Sequence, residues 1–251
     1  MRATLFRRTA VAATAASLAL LLTACGGEEK KTDDSGKADA SASAAAKPDV
    51  KALSAAELEK LVVAQADVQG YQVKKAEAGD LLNPGDVSAD KPACEPLAEA
   101  LSGVAPGSPG ASARRKAVKV PSKDSAATPE NALGVLATPA TTVTLGSYAG
   151  AGAQQTFAAL KTAGTDCAGG FTLLASGERT TVAKVAPESV TAGDEALAWT
   201  LTTKMEGKPF IANLVVFRKG NNLAGFMTLS LSGKVKEMPK ALVDAQAAKL
   251  R

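Results

Sequence analysis

The 251-residue sequence contains no histidine, which removes the commonest general base and the commonest metal ligand together. No nucleophile–base spacing and no cluster of metal-ligating residues compensates for that lack, so neither a catalytic site nor a bound metal or cofactor is expected. Aromatic residues amount to 4% of the chain. No internal repeat is visible. The uncharged apolar run over residues 10–22 is about a dozen residues, short of the roughly 20 that a transmembrane helix needs. An excess of positive charge is also missing. The formal net charge is +4, but three of the 29 basic residues and none of the 25 acidic ones lie in residues 1–24. Past that segment 26 basic residues face 25 acidic ones, and nothing in this balance points to nucleic acid.

What is present begins at the N-terminus. Arg2, Arg7 and Arg8 precede the apolar run, and Leu22-Thr23-Ala24-Cys25 closes it. A basic n-region, a short h-region and a small-residue cleavage site form a secretory signal over 1–24. Arg7-Arg8 is also the pair found in twin-arginine export signals, but its flanks fit that pattern poorly and it is read as n-region charge. The last four residues resemble the bacterial lipobox, an aliphatic residue, two small residues and a cysteine. That resemblance implies a lipidated Cys25 that becomes the first residue after cleavage, acylated by a diacylglyceryl group and palmitate-type chains. Two chains hold a protein stably on a bilayer where one is marginal. The expected location is the outer face of the cytoplasmic membrane, with the lipid bilayer as the first partner.

Residues 25–50 are polar, low in complexity and empty of large apolar side chains, and are expected to form a disordered tether. Its reach is about 28 Å as a coil and about 85 Å at full extension. Residues 51–251 make a single globular domain of ordinary size.

With Cys25 assigned to lipid, Cys94 and Cys167 remain, an even pair in an exported chain, for which a disulfide is the default. Closing a loop of that length would stabilise the fold by roughly 4 kcal/mol in the chain-entropy model. The rival reading is a reactive thiol, and the chain offers no histidine to activate one.

Local patterns then set the fold class. Ser54 and Glu57 form a capping box, Leu53 can staple onto Leu58, and the helical spacing is expected to run on to Gly70. A short strand follows over 71–74. Residues 79–93 and 102–112 read as loops, with a brief helix over 96–101 between them. The basic run Arg114-Arg115-Lys116 follows, and no element is assigned from there to Pro139. A strand over 141–146 leads through a Gly-rich turn to a helix over 150–163, closed by Gly164. Five strands follow at 171–176, 180–186, 195–204, 208–218 and 222–231. Gly207 and Gly220-Asn221 mark hairpin turns. A last helix starts near Pro239, with Leu242, Ala245 and Ala248 on one face. The expected fold is α+β, an antiparallel sheet of five to seven strands flanked by helices and carrying one disulfide.

Several motifs have a functional and a plain reading. Gly146 to Gly152 leads into a helix N-terminus, where an anion can bind, but it lacks the Gly-Lys-Ser/Thr ending of a phosphate loop; a plain turn is favoured. Asp194 and Glu195 are adjacent, and neighbouring strand residues point to opposite faces, so they cannot flank one bond. They are read as solvated acids, and Arg218 and Lys219 as surface charge. Arg114, Arg115, Lys116 and Lys119 could meet anionic lipid or teichoic acid, but a solvated loop is favoured. Trp199 and Phe226 are read as core rather than as a ligand platform.

Two resemblances cover the folded part. Ser147-Tyr-Ala-Gly, Cys167-Ala-Gly-Gly-Phe171, Gly193-Asp-Glu-Ala-Leu-Ala-Trp199 and Arg218-Lys-Gly220 resemble segments of uncharacterised actinobacterial, streptomycete-like secreted lipoproteins. The order of helix, cysteine, sheet and terminal helix is similar to the extracellular sensor domain of mycobacterial PknH-type kinases. That resemblance implies a disulfide-bonded antiparallel sheet flanked by helices, with a cleft for an unknown ligand; it transfers no functional residue. The sequence therefore leads to a non-catalytic, ligand-binding or sensor-like module of the cell envelope. The alternative is a structural lipoprotein that meets an envelope protein or wall polymer without a pocket.

Overall fold

The computed structural model describes residues 50–77, 79, 82–120, 138–205, 208–230, 235 and 237–250. Cys25, the signal segment, the tether up to residue 49 and the Gly207 turn lie outside the described residues. The described part is one sheet with helices on both faces. Its strands are β1 (Tyr71–Lys75), β2 (Val87–Ala89), β3 (Ala111–Lys119), β4 (Ala140–Ser147), β5 (Phe171–Ala175), β6 (Glu178–Glu188), β7 (Glu195–Met205), β8 (Lys208–Lys219) and β9 (Asn222–Leu229). Every pairing is antiparallel, in the order β1-β3-β4-β9-β8-β7-β6-β5-β2. The helices are α1 (Ala55–Leu61), α2 (Glu95–Leu101), α3 (Gly152–Asp166) and α4 (Lys240–Lys249).

The α+β class holds, but the sheet has nine strands rather than five to seven. The two extra strands fall where the sequence was read as loop or left unassigned. β2 is three residues long, below the length at which alternation is visible. In β3 the inward positions are Ala113, Arg115 and Ala117, so no large apolar side chain marks the buried face. Arg115 is buried on the strand rather than solvated in a loop. Its guanidinium donates to the Glu59 carboxylate at 2.8 Å, and that bond holds the Glu59 carboxyl below its ordinary range.

α1 starts as expected, since Ser54 and Glu57 complete the capping box. It ends at Leu61 rather than running to Gly70 because the next amides find partners outside the helix. Val63 N–H donates to the side chain of the fully buried Gln246 on α4, at 2.8 Å, and Ala64 N–H donates to Asp67 at 2.7 Å. Gln246 also donates to the Leu61 carbonyl at 2.9 Å, which ties α4 to the end of α1. The buried residues of α4 are accordingly Leu242, Val243 and Gln246, while Ala248 is exposed.

Two core layers result. On one face α2 and α3 cover β6, β7 and β8 through Leu97, Leu101, Leu160, Trp199, Leu201 and Leu214. The Cys94–Cys167 disulfide joins the start of α2 to the end of α3, with its Cα atoms 5.9 Å apart. Gly164 does not end α3; it lies inside the helix, where the Trp199 indole packs so closely that a Cβ would come within 2.6 Å of Nε1. On the other face α1 and α4 cover β3, β4, β8 and β9 through Leu58, Val62, Leu242, Val243, Phe217 and Phe226.

The two outermost strands have side chains on their outward backbone groups. Gln65 donates to the Tyr71 carbonyl at 2.9 Å and accepts from Val73 N–H at 2.8 Å, along the free side of β1. Glu95 accepts from Ala89 N–H at 2.9 Å on the free side of β2.

Candidate functional site

A cleft of about 560 Å³ opens between the sheet and α4. Its floor comes from β7 and β8. Side chains alternate along a strand, so Ala196, Ala198 and Thr200 stand on the α4 side of β7 while Leu197, Trp199 and Leu201 stand on the other. The two alanines leave space that larger residues would fill. Val215 extends the floor on β8, and Val243 of α4 with Met238 makes the apolar wall. The end of β6 and the chain that follows it, residues 187–191, close the third side with Glu188, Ser189, Val190 and Thr191.

Polar groups sit at the mouth. Glu188 lies opposite Ala198 in the β6–β7 register, which puts its side chain on the cleft side of the sheet. The Thr200 hydroxyl is 2.8 Å from one Glu188 carboxylate oxygen and 3.3 Å from the side-chain oxygen of the buried Asn213. A hydroxyl carries one hydrogen, and the shorter contact takes it. Asn213 Nδ2–H in turn donates to the Glu237 carbonyl at 3.2 Å, pinning the segment before α4 to β8. Lys240 and Asp244 pair with each other across one turn of α4. This arrangement suits a small, largely apolar molecule anchored by a few hydrogen bonds. Among the described residues no group of three or more Cys, Asp or Glu side chains is placed to hold a metal ion.

A second hollow, of about 290 Å³, lies at the β1–β3 side of the sheet. It is rimmed by Leu82, Asn83 and Pro84 and by Val104, Ala105 and Pro109, from the two stretches 79–93 and 102–112 whose sequence reads as loop. The stretch 103–110 is packed rather than loose. Val104 and Ala105 are buried, the buried Tyr148 hydroxyl donates to the Pro106 carbonyl at 2.7 Å, and Glu99 accepts from Gly107 N–H at 2.9 Å.

The other sequence candidates take structural positions. Cys94 and Cys167 are both fully buried in their disulfide. Asp194 and Glu195 are not free acids. Both contact Arg218 across the β7–β8 end, and Lys219 pairs with Asp194 at 3.1 Å. The Gly220 N–H on Asp194, with these cations, holds its carboxyl below the ordinary range. Arg218 is accordingly a clamp with 14% of its side chain exposed, not surface charge. Arg114 donates to the Leu82 carbonyl at 2.9 Å, and Lys119 pairs with Glu237 at 3.6 Å. The Gly146 to Gly152 stretch is a turn from β4 into α3, with Gly150 N–H donating to the Val50 carbonyl. Trp199 and Phe226 are core residues, 3% and 0% exposed. Glu188, Lys240 and Asp244 carried no motif, and the alanine positions on β7 were the available signal.

No protein-family model matches the chain, and no curated protein matches it. Among solved structures the fold is similar to the extracellular domain of PknH from Mycobacterium tuberculosis. The TM-score is 0.50 at 11% identity, over 80% of this chain and 97% of that one. At this identity the likeness is one of fold. No helix among the described residues is long and apolar enough to cross a membrane.

Proposed function

We propose that the protein is an extracytoplasmic lipoprotein, anchored through acylated Cys25, whose domain binds a small molecule of the cell envelope without transforming it. The cleft beside α4 carries this reading. Its volume, about 560 Å³, lies inside the range of roughly 300–1,000 Å³ seen for small-molecule sites, and an apolar floor with few polar groups is their usual lining. A buried disulfide supports an oxidising compartment. The fold shared with the extracellular domain of PknH supports a sensor-like role. The lack of histidine, and the pairing of Asp244 with Lys240, leave Glu188 without an acid–base partner at the cleft.

Native mass spectrometry of the protein purified from its own host tests the reading, and a retained small molecule is expected. Ala196→Trp, which fills the cleft from its floor, should abolish that retention while the protein still melts cooperatively. A clean apo mass with a co-purifying protein or wall polymer would replace this reading with that of a structural lipoprotein. Cys25→Ser should release the protein from the membrane fraction or leave it unprocessed. Turnover in a panel of peptides, glycans and esters that a single carboxylate or serine change abolishes would overturn the non-catalytic part.

A further inference from the structure

The charges at the mouth of the cleft are unequally matched. α4 contributes Lys240 and Asp244, which satisfy each other; the 187–191 segment contributes Glu188; β7 and β8 contribute no titratable group. No basic side chain among the described residues pairs with Glu188, whose only hydrogen bond there comes from Thr200. That bond orients the carboxylate and leaves its second oxygen free to accept. One unpaired carboxylate therefore stands at the edge of an apolar slot. The start of α4 offers an anion little in return. Lys240 and Leu242 N–H groups already donate to the Met238 and Pro239 carbonyls, and the Lys240 side chain is 80% exposed and engaged.

We propose that the cleft takes a cationic amphiphile, its apolar body lying on Ala196, Val190 and Met238 and its ammonium or guanidinium group bonded to Glu188. This rests on the small-molecule reading of the cleft and goes beyond it by naming the ligand's chemistry. A hydrogen bond between an ammonium and a carboxylate is shorter and stronger than a neutral one, and because Glu188 is exposed the contact is sensitive to salt. A carboxylate head group in the same place would meet Glu188 as a like charge.

Calorimetric titration of the full-length protein, delipidated in mild detergent and exchanged to low salt at pH 7, tests this. The probes are decylammonium and decanoate below their micelle concentrations and decanol below its solubility limit. Decylammonium is expected to bind about fivefold tighter than decanol and tighter still than decanoate. Glu188→Gln, which keeps an acceptor for Thr200, should bring decylammonium level with decanol and leave decanol unchanged. Equal binding of the three probes, or tighter decanoate, would overturn the cationic head group and leave the apolar cleft standing. If no probe binds and Ala196→Trp changes nothing, the cleft reading itself fails.

Discussion

Along β7 the side chains facing α2 and α3 are Leu197, Trp199 and Leu201, and those facing α4 are Ala196, Ala198 and Thr200. The first row closes a core in which Trp199 leaves room only for the bare Cα of Gly164. The second row leaves a cleft of about 560 Å³. One strand thus builds both, because alternation lets a sequence set the volume on each face separately. The face with the large side chains also has the disulfide across its helices, whereas α4 is held by Leu242 and Val243 in the second core layer, by Asn213 on Glu237 and by Gln246 on α1. The covalent link lies on one side of the sheet and the cleft on the other.

The sharpest way to break this contrast is Trp199→Ala. Removing a fully packed aromatic side chain should cost roughly 3–5 kcal/mol in urea unfolding. Replacing Cys94 and Cys167 together by Ala should come next, at roughly 2–5 kcal/mol, with a lower melting temperature. Non-reducing peptide mapping should first yield the single Cys94–Cys167 cross-link; two free thiols in envelope material would contradict it. Gly164→Ala should cost about 1–3 kcal/mol through overpacking against Trp199. Its sign is the informative part, since Gly→Ala in an unobstructed helix stabilises by about 1 kcal/mol. On the opposite face Ala196→Leu should change unfolding by less than about 1 kcal/mol, because its added atoms enter open space.

The smallest effect is a pH dependence on the packed side. Burial raises the Glu99 carboxyl above its ordinary 4.5, with the Glu95 charge adding to it. The folded state then holds this proton more tightly than the unfolded chain does. Its contribution is full below about 4.5 and is lost as pH rises through the folded value. Glu59 and Asp194, held low by Arg115 and by Gly220 N–H, contribute above the ordinary carboxylate range and lose that contribution as pH falls. Glu99→Gln should therefore remove a shallow decline in stability just above pH 4.5 and leave the acid-side loss in place. Melting curves across pH 3–7 would reveal a flat difference between the two proteins if Glu99 did not titrate in that window.

The strands from β5 to β9 were legible as short runs between turn residues, alternating cleanly in β7 and less so in β8, a central strand covered on both faces. The capping box of α1 was legible from Ser54 and Glu57 alone. The disulfide followed from cysteine parity. β3 was not legible because its buried face is Ala113, Arg115 and Ala117, and a buried arginine is intelligible only once Glu59 is known to lie against it. Gly164 looked like a helix end, since nothing local shows that Trp199, 35 positions later, needs its missing side chain. The cleft was the least legible feature. It is formed by alanines from one strand, a segment five to eleven residues earlier, and a helix 42 to 48 residues later. No local pattern joins those three pieces.

The two outer margins of the sheet have a consequence for how copies of this protein can coexist. Two copies that joined margin to margin would present the same free margins again, so growth by strand addition has no natural stop. Gln65 offers β1 the acceptor and donor that an incoming strand would bring, and Glu95 fills one such place on β2. Some of the places an incoming strand would take are thus held by the chain's own side chains, which works against growth by strand addition.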